Sequence, residues 1–101
     1  AIDAKNRMLL QDLLLKILEE EHSSKTIVFV THDVDEAILL SDRVLFMENK
    51  KIAGEFRVPF LHPRKREQIF STEAYTKLRQ NIMGYFFHSL KERIGGEEVY
   101  L

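Results

Sequence analysis

Apolar residues recur at helical spacing from Ala4 to about Glu21. Leu9, Leu13 and Ile17 form one i, i+4 row, and Leu10, Leu14 and Leu18 form a second beside it. Two adjacent rows make a wide face and predict a helix packed against a sheet. Asp3 stands where an N-cap belongs, its carboxylate able to accept from the free amides of the first turn. The polar run EEEHSSK ends the pattern. Ile27-Val28-Phe29-Val30 is continuous and rich in β-branched residues, the pattern of a strand buried on both faces in a parallel sheet. Asp33 and Glu36 have the spacing of a capping box and predict a helix over 34–40 that packs through Ala37, Ile38 and Leu40.

The period then falls to two. Val44 to Met47 reads as a strand and ENKK as a turn, with Asn49 suited to a left-handed conformation. Ile52, Gly54, Phe56 and Val58 alternate with Lys51, Ala53, Glu55 and Arg57, as in a half-exposed strand. The pair predicts an antiparallel hairpin at a sheet edge. Pro59 and Pro63 bracket a loop. A last helix, capped by Ser71 or Thr72, should reach about Arg93 on a spine of Leu78, Ile82, Phe86 and Leu90, flanked by Tyr75, Met83, Tyr85 and Phe87. Gly84 inside that helix costs about 1 kcal/mol relative to alanine and suggests a close contact. GGEEVYL reads as a frayed tail.

Composition narrows the picture by exclusion. The chain has 101 residues, 15 Lys plus Arg against 16 Asp plus Glu, and no cysteine. The charge balance gives no reason to expect a nucleic-acid partner. Disulfides, thiolate metal sites and cysteine nucleophiles are excluded. No apolar run approaches the roughly 18 residues of a membrane span, and no signal peptide is visible. The first residue is alanine, which suggests a cut or processed chain. His22, His62 and His88 are too far apart to form a local metal motif and read as bystanders. No metal ligands are assigned. Arg64, Lys65 and Arg66 read as a solvated basic loop, and Tyr85-Phe86-Phe87 as core packing of the last helix.

The chemistry concentrates at Thr31-His32-Asp33. The order helix, buried strand, helix, strand is half of an open α/β sheet, where ligands bind beyond the carboxyl ends of the strands. The amides opening the next helix point to the same place and attract anions. His32 could donate one hydrogen bond and accept another there. The residues leave two readings open: a structural hydrogen bonder, or a sensor of phosphate or bound water.

THDVDEAILLSDRV resembles the switch-histidine segment of the ATP-binding subunits of ABC transporters. AIDAKNR resembles their D-loop, with Ile2 where leucine is more usual. VLFMENKKIAGEFRVPFLHPRKRE resembles the hairpin and loop of the nitrate, sulfonate and taurine importer branch. The likeness covers about residues 1 to 70. It implies the C-terminal part of a P-loop NTPase sheet with an edge hairpin, residues 1–60, followed by a loop and helical tail, residues 61–101.

By the same resemblance, His32 contacts the ATP γ-phosphate and helps orient the attacking water, and Asp3 helps build a nucleotide site shared across a dimer. Asp42 and Arg43 match a common pair, read here as a structural ion pair or hydrogen-bonding unit. The intact parent would use ATP and Mg2+, pair with a second ATPase subunit, and work on a permease at the cytoplasmic face of the membrane. The chain has no G-x-x-x-x-G-K-[ST] and no signature motif. Phosphoryl transfer needs those parts, so the 101 residues alone are expected to be inactive and without a cofactor. An exposed Ile27 to Val30 strand would favour self-association. A non-catalytic interaction module acting through Tyr75, Tyr85, Phe86 and Phe87 is the alternative. The residues encoded before Ala1 discriminate the two.

Overall fold

The computed structural model describes residues 3–20 and 26–93, with side chains through residue 90. Its elements run α1 (Ala4–Glu20), α2 (Val34–Leu40), β1 (Arg43–Glu48), β2 (Lys51–Arg57), α3 (Arg66–Phe70) and α4 (Glu73–Arg93). The architecture is mixed α/β: a two-stranded antiparallel hairpin with helices around it. Among the described residues, no helix is long and apolar enough to cross a membrane. Glu21, His22 and the GGEEVYL tail lie outside the described residues.

Asp3 caps α1 as its position predicts. Its Oδ1 accepts from the Asn6 amide at 2.8 Å, and its carbonyl accepts from the Arg7 amide at 2.9 Å. The face of α1 is another matter. Leu9, Leu10, Leu13 and Ile17 are exposed, and the helix instead buries Leu15 and the polar Gln11. The sheet expected opposite the two leucine rows is not among the described residues. The helix packs by a narrower edge against α2.

The strand expected at Ile27–Val30 does not form. Those residues belong to no strand, and Val28 and Val30 are 85% and 89% exposed. A strand needs neighbours to receive its amides and carbonyls. The only strands among the described residues, β1 and β2, are paired with each other.

The core gathers around α2. Ile38 and Leu39 are fully buried, and Leu15, Leu40, Val58, Ile69, Tyr75 and Ile82 close on them. Leu39 was not among the expected packing residues; on a helix this short, apolar neighbours enclose nearly every side. α4 docks on α2 through Asp35, which accepts from the Tyr75 hydroxyl and from Arg79 Nε at 3.0 Å. Thr72 provides the cap of α4, its Oγ1 accepting from the Tyr75 amide at 3.1 Å.

The hairpin turns through two left-handed residues, Asn49 at φ 51° and Lys50 at φ 63°. A two-residue turn with both φ positive matches the twist of the flanking strands, so Lys50 joins Asn49 in a conformation lysine seldom adopts. The register pairs Phe46 with Gly54 and Met47 with Ile52, which leaves Ala53 as a bulge without a cross-strand partner. The Tyr85 hydroxyl donates to the Ala53 carbonyl. Its ring meets Phe46 and Phe56 edge-on at centroid distances of 5.3 and 5.7 Å.

The close approach assigned to Gly84 is absent: a Cβ there would meet nothing within 4 Å. It occurs at Gly54, where a Cβ would stand 2.9 Å from Tyr85 Cζ. Tyr85 therefore packs as expected, whereas Phe86 and Phe87 remain substantially exposed. The expected spine of α4 holds at Leu78 and Ile82, with the flanking Tyr75 buried as well; Phe86 is exposed and Leu90 half-buried. Beyond Ile82 the buried position is Ser89, whose hydroxyl donates to the Glu48 carboxylate at 2.6 Å.

The basic loop is solvated only in part: Lys65 is exposed, whereas Arg66 is half-buried and Arg64 buried. Arg64 is 3% exposed and closes the C-terminal end of α2. Its Nη1 donates to the carbonyls of Ile38, Leu39 and Ser41 at 3.2, 3.1 and 2.7 Å. Nε and Nη2 reach the Phe60 carbonyl at 3.0 and 2.6 Å. The last carbonyls of a helix have no intrahelical donors, and a cation is favoured there. Burial pulls the Arg64 pKa below the usual arginine value, while the nearby Asp42 carboxylate opposes that shift. Arg66 bonds Gln11 Oε1 at 2.8 Å and Asp12 at 3.2 Å, and it opens the short α3, which is too brief to show a period in sequence.

Candidate functional site

The turn between residues 31 and 36 is held by a closed set of hydrogen bonds. The Asp33 amide donates to Thr31 Oγ1 at 3.0 Å, and Thr31 Oγ1 donates to Glu36 Oε1 at 2.7 Å. The Glu36 amide donates back to Asp33 Oδ1 at 3.1 Å. Half of the expected capping box is therefore present. The other half is not: the Glu36 carboxylate does not return to the Asp33 amide, because it turns toward α1.

There it meets two donors. Arg7 Nε lies 3.0 Å and Gln11 Nε2 2.8 Å from Glu36 Oε2. Glu36 is 2% exposed, so its charge would be costly without these partners. Burial raises its pKa. The hydrogen bonds from Gln11, Thr31 and Arg7, with the charge of Arg7, outweigh burial and leave it below the usual glutamate value.

His32 sits at the tip of this turn. It is exposed and makes no hydrogen bond with the described residues. Among the described residues, no partner stands by it for the structural hydrogen-bonding role, one of the two readings its sequence position allows. Asp33 occupies the opening of α2 with its own carboxylate, so the Glu36 amide is not available to an outside anion. The imidazole is thus the group this turn presents outward. Two concavities lie away from it, one lined by Phe46, Phe86 and Ser89, the other by Asp42, Arg57, Phe60 and His62.

Among the described residues no hydrogen bond joins Asp3 to His32, yet both adjoin one cluster. Asp3 caps the turn that carries Arg7, and Arg7 holds Glu36, which holds Thr31. Asp42 and Arg43 do form polar contacts, but not with each other. Asp42 accepts from Arg64 at 3.3 Å and bonds His62 Nε2 at 3.1 Å, whereas Arg43 pairs with Glu55 at 2.9 Å. His62 is therefore a partner of Asp42 rather than a bystander. Reading along the chain missed Arg7, Gln11 and Glu36 as a unit, since their contacts span 25 and 29 residues. The only local signal is a glutamate at the third position of a helix, and that has an ordinary capping explanation.

No protein-family model matches the chain. Similarity to individual curated proteins defines the class: the chain is homologous to a section of the ATP-binding subunits of ABC importers for bicarbonate, nitrate and sulfonates. It is 45% identical over 94 residues to the bicarbonate transport ATP-binding protein CmpC of Synechococcus elongatus, covering 90% of the chain and 14% of that protein. It is 44% identical over 90 residues to the nitrate transport protein NasD of Klebsiella oxytoca, covering 86% of the chain and 34% of that protein. With the aliphatic sulfonates import ATP-binding protein SsuB 1 of Paracoccus denitrificans it shares 51% identity over 65 residues, 64% of the chain and 26% of that protein. The chain thus spans a third or less of the length of most of these relatives, 34% at most among the three.

Proposed function

We propose that these residues are the C-terminal part of the P-loop NTPase core of an importer ATPase, and that His32 contacts the γ-phosphate of its ATP. The observation that carries this reading is the exposed His32 on a turn fixed at both flanks, in a chain whose relatives are named for ATP binding. An imidazole so placed can donate to a phosphoryl oxygen and hold an attacking water. The described residues fit one contact to a triphosphate, not a whole site. No glycine-rich loop or phosphate lysine occurs in the sequence, so Mg2+ and most of the phosphate charge belong to other parts of the whole protein.

Asp3, at the opening of α1, faces a second ATPase subunit in this reading, and the assembled pair works on a permease at the inner face of the membrane. The 101 residues alone release no phosphate. The exposed row of α1 and the Ile27–Val30 segment seek cover, and in the isolated chain a second copy provides it.

The test is His32→Ala in the whole protein that carries these residues. Loss of a positioned proton donor or acceptor predicts a fall in ATP turnover of about 100-fold, with ATP binding retained. Unchanged turnover removes His32 from the mechanism.

A further inference from the structure

We infer that Glu36 is a positioning residue for His32, acting through the Thr31 hydroxyl. This rests on the reading of His32 as the phosphate-contacting group. The geometry is specific. Residues on both sides of His32 are tied to Glu36: Thr31 Oγ1 to its carboxylate at 2.7 Å, and Asp33 Oδ1 to its amide at 3.1 Å. The Asp33 amide in turn donates to Thr31 Oγ1 at 3.0 Å, closing the ring beneath an exposed imidazole. Glu36 is itself immobilised from α1 by Arg7 and Gln11, and Gln11 is held by Arg66 at 2.8 Å.

A helix cap needs only the Asp33 side chain and the Glu36 amide. The buried carboxylate serves a different purpose, because its two oxygens divide the work. Oε2 takes both donors of α1, and Oε1 takes the Thr31 hydroxyl. The backbone carrying His32 is thereby referenced to α1, the helix that Asp3 caps. Displacing a reacting group by about 1 Å costs up to about 100-fold in rate, so a hydroxyl that fixes the preceding residue is enough to matter.

The test uses the whole ATPase. Thr31→Val removes the link while keeping the side chain's shape, and Thr31→Ser restores it. Thr31→Val is expected to lower kcat about tenfold with little change in the KM for ATP, and Thr31→Ser to recover most of that loss. Glu36→Gln keeps an acceptor for Thr31 but weakens the hold of Arg7, and is expected to lower kcat less than Thr31→Val. If Glu36→Gln does not fold, the Thr31 pair decides alone.

The decisive comparison is the His32→Ala background. There Thr31→Val should cause no further fall, since residues acting through one group are not additive. An equal fractional fall in both backgrounds, or unchanged kcat in Thr31→Val, overturns the proposal. Failure of His32→Ala itself to slow turnover defeats the underlying reading instead, and that single variant separates the two failures.

Discussion

Glu36 carries its charge where water hardly reaches, and its partners make the charge the favoured state. That has a consequence for acid stability. The folded-state pKa lies below the unfolded value of about 4.3, so the stabilisation is present above that value and is lost as pH falls through the folded one. Glu36→Gln should therefore be less stable than the parent at pH 7, and the gap should close as pH drops below about 4.3. Thermal melts at a series of pH values would read it; a gap that widens in acid contradicts the assignment. Arg64 makes the complementary point. A charge triplet in sequence looks solvated because loops usually are, and nothing local reveals that five backbone acceptor contacts await one guanidinium. Asp3, by contrast, was legible, since an N-cap bonds within one turn of itself.

At the scale of elements, local period predicted α1, α2, the hairpin and α4 closely, because each expresses its own backbone preference. What those elements face was less legible. The leucine rows of α1 describe a face prepared for a sheet, and the described partner is α2 instead. The two glycines show the same divide. Gly84→Ala should stabilise by about 0.5–1 kcal/mol, since it removes a flexible residue from a helix and meets no neighbour. Gly54→Ala should destabilise by about 1–3 kcal/mol, since its methyl group would press on a ring already held by Phe46, Phe56 and Ala53. Denaturant melts of the two variants check both signs. Equal effects would mean that the Tyr85 ring moves aside freely.

For the molecule as a whole, the feature that matters most is uncovered apolar surface. Leu9, Leu13, Val28, Val30 and Leu61 are all more than half exposed. Extensive exposed apolar surface draws partners. The isolated 101-residue chain should therefore associate at micromolar concentration, and light scattering should report a mass above the monomer. A clean monomer would show that the surface is tolerated by water. The candidate site was legible as a position and not as a mechanism. THD between an apolar run and a capped helix identified His32, while the supports of that turn come from α1 and from α3, far along the chain.

That last distance also sets an order of events. Gln11 bonds Glu36, 25 residues later, and Arg66, 55 residues later. At synthesis rates of about 5–20 residues per second, Arg66 leaves the ribosome roughly 3–11 s after Gln11. For the later part of that interval, the roughly 1.5–6 s between Glu36 and Arg66, Gln11 has Glu36 as its partner before Arg66 arrives. Among the described hydrogen bonds of α1, the one to the side chain that sets the histidine turn can thus form before Arg66 fastens the arrangement.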